Sequence, residues 1–340
     1  MQAIEKTDNK ANETVLAMTQ IEQIRALMAQ DMAAVDRHIE ARLASDVALV
    51  NQIAQYIIHS GGKRLRPMLT LACGRACGFK PESHVSAAAI VEFIHTATLL
   101  HDDVVDHSDM RRGRGTANAV FGNAASVLVG DYLYSRSFQM MVDIGEMRIM
   151  EILADATNTI AEGEVLQLMN LQDPETTEKA YREVIYRKTA KLFEAGALIA
   201  AILAGQPEHV CQSMADYGRH LGTAFQLVDD ALDYDASAEE MGKNAGDDLA
   251  EGKPTLPLIH AMHHGTPEQA RLIRSCIEKG GREHIAAVTE AIETTGALEY
   301  TARSARLEAA SAITALTDLP DSEYKQALIG LAEFAANRRY

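Results

Sequence analysis

The sequence predicts an all-α fold, and three observations carry that prediction. Only 8 prolines punctuate 340 residues, and the interval from Pro81 to Pro174 is the longest proline-free stretch. Ala, Leu, Ile, Met, Glu and Gln fill that interval, and these residues suit helices far better than strands. Val/Thr alternation bounded by Asn-Gly or Asp-Gly turns is scarce, so a sheet has little support.

The elements follow in order. Residues 1–18 are polar and read as a loose leader; residues 19–340 read as one helical domain. From Ile21 to Ile58 apolar residues recur at three and four, as in Ile21, Ile24, Leu27 and Met28, which predicts one amphipathic helix. Gly61 and Gly62 stop it, and a short basic loop follows. Residues 68–79 and 84–106 are two further helices separated at Pro81. Gly113 and Gly115 mark another loop. Helical pattern resumes at Asn118 and runs with breaks to Asp173, then over residues 175–205 and 208–235. Residues 236–254 are rich in Gly, Asp, Lys and Asn, the composition of a mobile loop. Helices return after it, interrupted at Gly280 and Gly281.

Composition narrows the function. Lys and Arg number 32 against 48 Asp and Glu, a formal charge of −16. Nucleic-acid partners need basic surfaces, so they are excluded as a class. A phosphate ligand held through metal ions is not, because that needs carboxylates. Cys73 and Cys77 lie one helical turn apart with no further zinc ligands near them; with Cys211 and Cys276 they read as small packing residues in a reducing compartment. The N-terminus lacks the basic start and apolar middle of a signal peptide, and the run Ala197 to Ala204 is far too short to span a membrane. The expectation is a cytoplasmic protein.

Two acidic motifs carry the chemistry. The first, F-I-H-T-A-T-L-L-H-D-D-V-V-D, ends on Asp102 and Asp106. Four residues apart on a helix, their carboxylates stack on one side, and His95 and Leu99 extend the same stripe. Stacked like charges after an apolar run are costly unless a cation joins them. Mg²⁺ suits the position, since it takes one or two carboxylates plus substrate phosphates. The second motif, F-Q-L-V-D-D-A-L-D, repeats the spacing with Asp229 and Asp233; Gln226 and Gly222 continue that stripe, and Gly222 lets something approach closely. One such motif alone reads as a solvated helix end, but two, each closing an apolar helical run, do not. Basic loops flank both: Gly61 to Pro67, Met110 to Gly115, Arg187-Lys188-Thr189, Lys243 and Lys253. Beside carboxylates in an acidic chain they suggest an anion bound next to metal. Gly252-Lys253 is followed by Pro254, so it is not a nucleotide P-loop.

These motifs, together with G-G-K-R-L-R-P, M-R-R-G, K-T-A and G-D-D-L-A-E-G-K-P-T-L-P, resemble the trans-polyprenyl diphosphate synthases, nearest to the bacterial members of octaprenyl length. The likeness runs from about residue 22 to the end and implies helices around a deep central cavity, in a homodimer. It also implies roles. Lys63, Arg66, His95 and Arg112 match positions at the diphosphate of isopentenyl diphosphate. Arg111, Lys188, Thr189, Gln226 and Lys243 match positions at the allylic diphosphate, farnesyl diphosphate being the expected primer. Asp102 and Asp106 match one metal cluster; Asp229 and Asp233, with Asp230 beside them, match the other, for about three Mg²⁺ ions per site with substrate bound. Lys253 would help close a lid over residues 236–254. The implied reaction is ionisation, condensation and elimination, in a site kept dry because water would capture the cation. No side chain in the motifs is an obvious base, and the resemblance assigns that task to the released diphosphate. Ala97 and Thr98 are small where short-chain relatives carry bulky aromatics, which implies a long product supplying an isoprenoid quinone side chain.

Three rivals share parts of this pattern. A class I terpene cyclase or head-to-head prenyl synthase lacks the site expected at Gly61 to Pro67. An HD-type metal phosphohydrolase, suggested by His101-Asp102, leaves the second motif unexplained. A non-catalytic partner subunit should lack one acidic cluster.

Overall fold

The computed structural model describes residues 2–58, 61–111, 113–234 and 246–338, with side chains from residue 20 onward. The expected leader, residues 1–18, therefore lies outside the described side chains. Sixteen α-helices occur among the described residues. In chain order they are α1 (Gln2–Leu43), α2 (Ala48–Ile58), α3 (Leu65–Cys77), α4 (Pro81–Val105), α5 (Ala117–Phe121), α6 (Asn123–Ile144), α7 (Met147–Asn170), α8 (Glu178–Ile185), α9 (Lys191–Leu203), α10 (Glu208–Leu232), α11 (Asp247–Ala250), α12 (Leu256–His264), α13 (Pro267–Lys279), α14 (Ile285–Thr294), α15 (Ala297–Ala315) and α16 (Glu323–Asn337). The described strands are two residues each, β1 (Met110–Arg111) and β2 (Arg114–Gly115), paired antiparallel. The all-α expectation holds.

Two boundaries differ from expectation. The single helix over 21–58 is two, because local side-chain bonds capture the backbone at Ser45. The Ser45 N–H donates to Asn51 Oδ1 at 3.0 Å, Asn51 Nδ2 donates to the Ser45 carbonyl at 2.7 Å, and Val47 N–H reaches Ser45 Oγ. Such bonds offer the chain an alternative to the helical ladder. The helix over 175–205 is also divided. It starts only at Glu178, where the Thr177 hydroxyl caps Ala180 N–H, and a π-helical turn, Tyr186–Ala190, separates α8 from α9.

The core is one large apolar cluster. Ile24, Met28, Leu69, Leu71, Ile90, Phe93, Ile94, Leu133, Phe193 and Leu328 bring α1, α3, α4, α6, α9 and α16 together. A smaller cluster of Leu249, Leu258, Ile273, Ile277, Val288 and Ile292 supports α11 to α14. Tyr181, Ile185, Leu227, Val228, Leu256 and Ile259 join α8, α10 and α12. Among the described residues one helix, α4, is long and apolar enough to cross a membrane, and 72% of its apolar window is buried inside the protein, as a core helix requires. Apolar character thus extends further along α4 than the run Ala197 to Ala204 suggested.

Glycines set how closely α7 and α10 approach the π turn. A methyl at Gly222 would stand 2.6 Å from Ala190 Cα, and one at Gly163 would stand 2.8 Å from Lys188 N. The close approach expected at Gly222 is therefore made by the chain itself. Gly222→Ala should cost about 1–3 kcal/mol through forced separation of α10 from the turn. Urea unfolding of the purified variant checks this, and an unchanged midpoint would refute it.

Candidate active site

A cavity of about 280 Å³ opens between α4, α7, α8, the π turn and α10. Asp102 and Asp106 line it from the C-terminal end of α4, and Asp229 and Asp230 from that of α10. Arg111, Lys188, Thr189, Gln226 and Lys253 complete the expected residues on its wall; Leu99, Val184 and Ile185 supply apolar surface. Two acidic motifs remote in sequence thus meet around one space.

Two lysines stand between the motifs. Lys188 Nζ lies 2.7 Å from Glu164 Oε2 and 3.9 Å from Asp102 Oδ2. It sits on the π turn, a helix defect often found at functional sites. Lys253 Nζ lies 3.7 Å from Asp106 and 3.9 Å from Asp248, and also contacts Glu251. Burial alone would lower the pKa of the Lys188 ammonium, yet Asp102 and Glu164 hold it above the ordinary value; Lys253 is raised in the same way by Asp248 and Asp106.

The carboxyl pKa values rise as well, which here favours the neutral form rather than the charged one. Burial, against the pull of Lys188 and with the charges of Glu164 and Asp106, raises Asp102 to about 7. Burial and Asp248 raise Asp233 to about 8, and burial raises Asp248 to about 6. Asp230 is raised strongly, first by burial and then by Asp248. Each such carboxyl holds its proton more tightly folded than unfolded. The folded state therefore loses stability as pH rises from the unfolded value near 4 through these folded values. We expect the thermal midpoint of the metal-free protein to fall by about several °C between pH 5 and pH 8. Mg²⁺ with pyrophosphate should restore more of it at pH 8 than at pH 6. Scanning calorimetry checks both, and a restoration independent of pH would contradict the assignment.

Not every expected residue faces the cavity. Asp233 is absent from the wall; its oxygens accept the N–H groups of Asp247 and Asp248 at 3.1 Å each. Asp230 touches the cavity but accepts from Tyr181 Oη at 2.5 Å and from Gln226 Nε2 at 2.7 Å, while Thr189 Oγ1 donates to Gln226 Oε1. Arg111 reaches the wall with Nε and Nη2 both on Asp103 Oδ1, which pins the β1–β2 hairpin to α4. His95 is not on this wall; it pairs with Arg66 Nη1 at 3.1 Å, the residue with which the resemblance groups it. Arg66 also lies over the Phe193 ring, 4.6 Å from its centre. Lys63 is half-buried in the loop before α3. Arg112 and Lys243 lie outside the described residues, as does the loop from 235 to 245. Ala97 is fully buried in the core and Thr98 is half-buried, its hydroxyl on the His95 carbonyl.

Four participants went unassigned in the sequence. Glu164 anchors Lys188, Asp248 lines the cavity, Tyr181 holds Asp230, and Arg338 holds Asp229. The pair Asp247-Asp248 and the spacing Glu164, Gln167, Asn170 were visible signals; nothing in the sequence marks Tyr181 or Arg338.

The donor set fits hard divalent cations. Among the described residues no three carboxylate, His or Cys side chains converge into a ready-made metal cluster. Carboxylates around one cavity, Asp102, Asp230 and Asp248 among them with pKa values raised chiefly by burial, are what Mg²⁺ completed by phosphate oxygens would join. The arrangement defines a class of protein: an all-α enzyme built to hold a diphosphate between two acidic helix ends. The comparisons give the particular family. The profile described as polyprenyl synthetase matches residues 47–295, and the chain belongs to that family, as a prenyltransferase. It is 58% identical to octaprenyl diphosphate synthase of Escherichia coli (strain K12), over 94% of this chain and 99% of the relative. A decaprenyl diphosphate synthase structure from Rhodobacter capsulatus matches with a TM-score of 0.89 at 47% identity, covering 93% of this chain and 98% of that one. A polyprenyl synthase from Caulobacter crescentus CB15, complexed with calcium and isoprenyl diphosphate, matches at 0.90 and 45%, covering 94% and 98%.

Proposed function

We propose that the chain is a trans-polyprenyl diphosphate synthase of octaprenyl specificity. It adds isopentenyl diphosphate head-to-tail to an allylic diphosphate, with farnesyl diphosphate as primer, and supplies the side chain of an isoprenoid quinone. The observation that carries the reading is the convergence of Asp102, Asp106 and Asp229 on a cavity bridged by Lys188 and Lys253. The octaprenyl name of the Escherichia coli relative supports the length.

Asp102, Asp106 and Asp229, aided by Asp233, would hold Mg²⁺, and the calcium in the Caulobacter crescentus complex supports a divalent ion there. Bound Mg²⁺ would neutralise the charge that builds on a departing diphosphate. Lys188, steered by Glu164, places a positive charge at the same leaving group. Arg66 and His95, fixed against each other, offer the paired donors for the diphosphate of isopentenyl diphosphate. Leu99, Val184 and Ile185 give the allylic chain an apolar bed that excludes water.

Exposed Leu128 and Val142 on α6, with Val165, Leu168 and Met169 on α7, form apolar surface suited to a second copy, in keeping with a homodimer. Four buried, unpaired cysteines fit a reducing cytoplasm.

The direct test incubates purified protein with Mg²⁺, isopentenyl diphosphate and farnesyl diphosphate. Chromatography of the dephosphorylated products should show octaprenol as the main species. No elongation, or phosphate release without isopentenyl diphosphate, would defeat the reading.

A further inference from the structure

Arg338, just past α16, is the most deeply buried guanidinium beside the site, only 6% exposed. It lies far from both acidic motifs in sequence, yet its Nη2 donates to Asp229 Oδ1 at 3.0 Å and to the Phe225 carbonyl at 2.7 Å. Its Cζ sits 3.7 Å from the centre of the Phe225 ring. A carbonyl, a carboxylate and a ring from one helix, spaced one turn apart, thus fix the guanidinium plane. Nε finds no partner among the described residues, and burial lowers the pKa of the group. Burying an arginine this completely is costly for stability alone.

The geometry points to a positioning role. We propose that Arg338 holds one oxygen of Asp229 so that the other faces the cavity, and so makes the second acidic cluster depend on docking of the C-terminal end of α16. The proposal rests on the reading of Asp229 as a metal ligand. Asp229 is the exposed member of its cluster, with 48% of its side chain accessible, so without this bond its carboxylate would be free to rotate. Partners that orient a metal-binding carboxylate commonly matter by about 10–100-fold in metal affinity or activity.

The contact also continues beyond Asp229. Phe225 lies against Phe193 with ring centres 5.8 Å apart, and Phe193 carries Arg66 on its face. Arg338 therefore stands at one end of a cation–ring–ring–cation stack that reaches the Arg66–His95 pair.

The test measures binding of Mn²⁺ with inorganic pyrophosphate by electron paramagnetic resonance, which reads the site without turnover. Arg338→Met should weaken that binding about tenfold or more, and Arg338→Lys, which keeps the charge and one donor, should recover part of the loss. Asp229→Asn is the reference. In that background Arg338→Met should add little, because its target oxygen has lost its charge. If Arg338→Met does not fold, Phe225→Leu, which removes the ring under the guanidinium, must weaken binding in the same direction. Unchanged Mn²⁺–pyrophosphate affinity in a folded Arg338 variant, while Asp229→Asn loses it, would overturn the proposal and leave the site reading standing. Unchanged affinity in Asp229→Asn would remove both.

Discussion

Asp102→Ala and Asp229→Ala should each lower turnover by about 10³-fold or more while leaving the protein folded. The magnitude follows from what these groups supply. Removing one preorganised group that stabilises charge in the transition state costs about 10²–10³-fold. A carboxylate that anchors a divalent cation removes the cation's contribution as well. The two clusters line one cavity from two different helices, so neither substitutes for the other. Isotope incorporation from isopentenyl diphosphate measures the loss.

Stability should move in the opposite direction. Asp102 is pushed to about 7 by burial and by neighbouring carboxylates, so in the metal-free chain its charge is unfavourable. Asp102→Asn should therefore raise the metal-free thermal midpoint at pH 8, and the gain should shrink toward pH 5, where the wild-type carboxyl is protonated. A variant that loses both activity and stability at pH 8 would mean that Asp102 is a structural ion-pair partner of Lys188. Opposite signs in the two measurements separate a functional carboxylate from a structural one.

How much of this was legible in the sequence depends on the range of the interaction. Asp102 and Asp106 were readable because their relation is a single helical turn, and so was the repeat at Asp229 and Asp233. That the two pairs share a cavity follows from the cost of leaving either unpaired, and Asp102, Asp106 and Asp229 line one cavity. The roles of the individual carboxyls within a motif were less readable. Asp233 and Asp230 satisfy their oxygens on the backbone of α11 and on Tyr181, partners that periodicity on α10 cannot reveal. For His95 the two readings point to different neighbours: helical phase puts it in line with Asp102, the resemblance puts it with Arg66, and the structure pairs it with Arg66 on α3. The π turn left no mark in the pattern Y-R-K-T-A. Its neighbours are remote in sequence: Gly163 on α7 and Gly222 on α10 leave room for the backbone at Lys188 and Ala190. Arg338 is the extreme case, a residue whose partner lies 109 positions away.

Ala97→Phe should shorten the product, with its main species well below octaprenol. A cavity of about 280 Å³ lies at the lower edge of the range that accommodates a drug-sized ligand, about 300–1,000 Å³. It can take a diphosphate and a short allylic chain, but not an octaprenyl tail. The growing chain must therefore leave the cavity between helices. Ala97 is on α4, five residues before Asp102, fully buried, in a segment whose neighbours Ile94 and Leu100 are also fully buried. A benzyl group there fills whatever space the helices can open for the tail. The same crowding should cost about 1–3 kcal/mol of stability, which a large core can absorb. Metal binding should be untouched, because Asp102 and Asp106 lie a turn or more further along the helix. The discriminating result is a shorter product with Mn²⁺–pyrophosphate affinity unchanged. Octaprenol still dominating in the folded variant would show that the tail leaves past a different helix, and Thr98, half-buried on the adjacent face, would be the next position to enlarge.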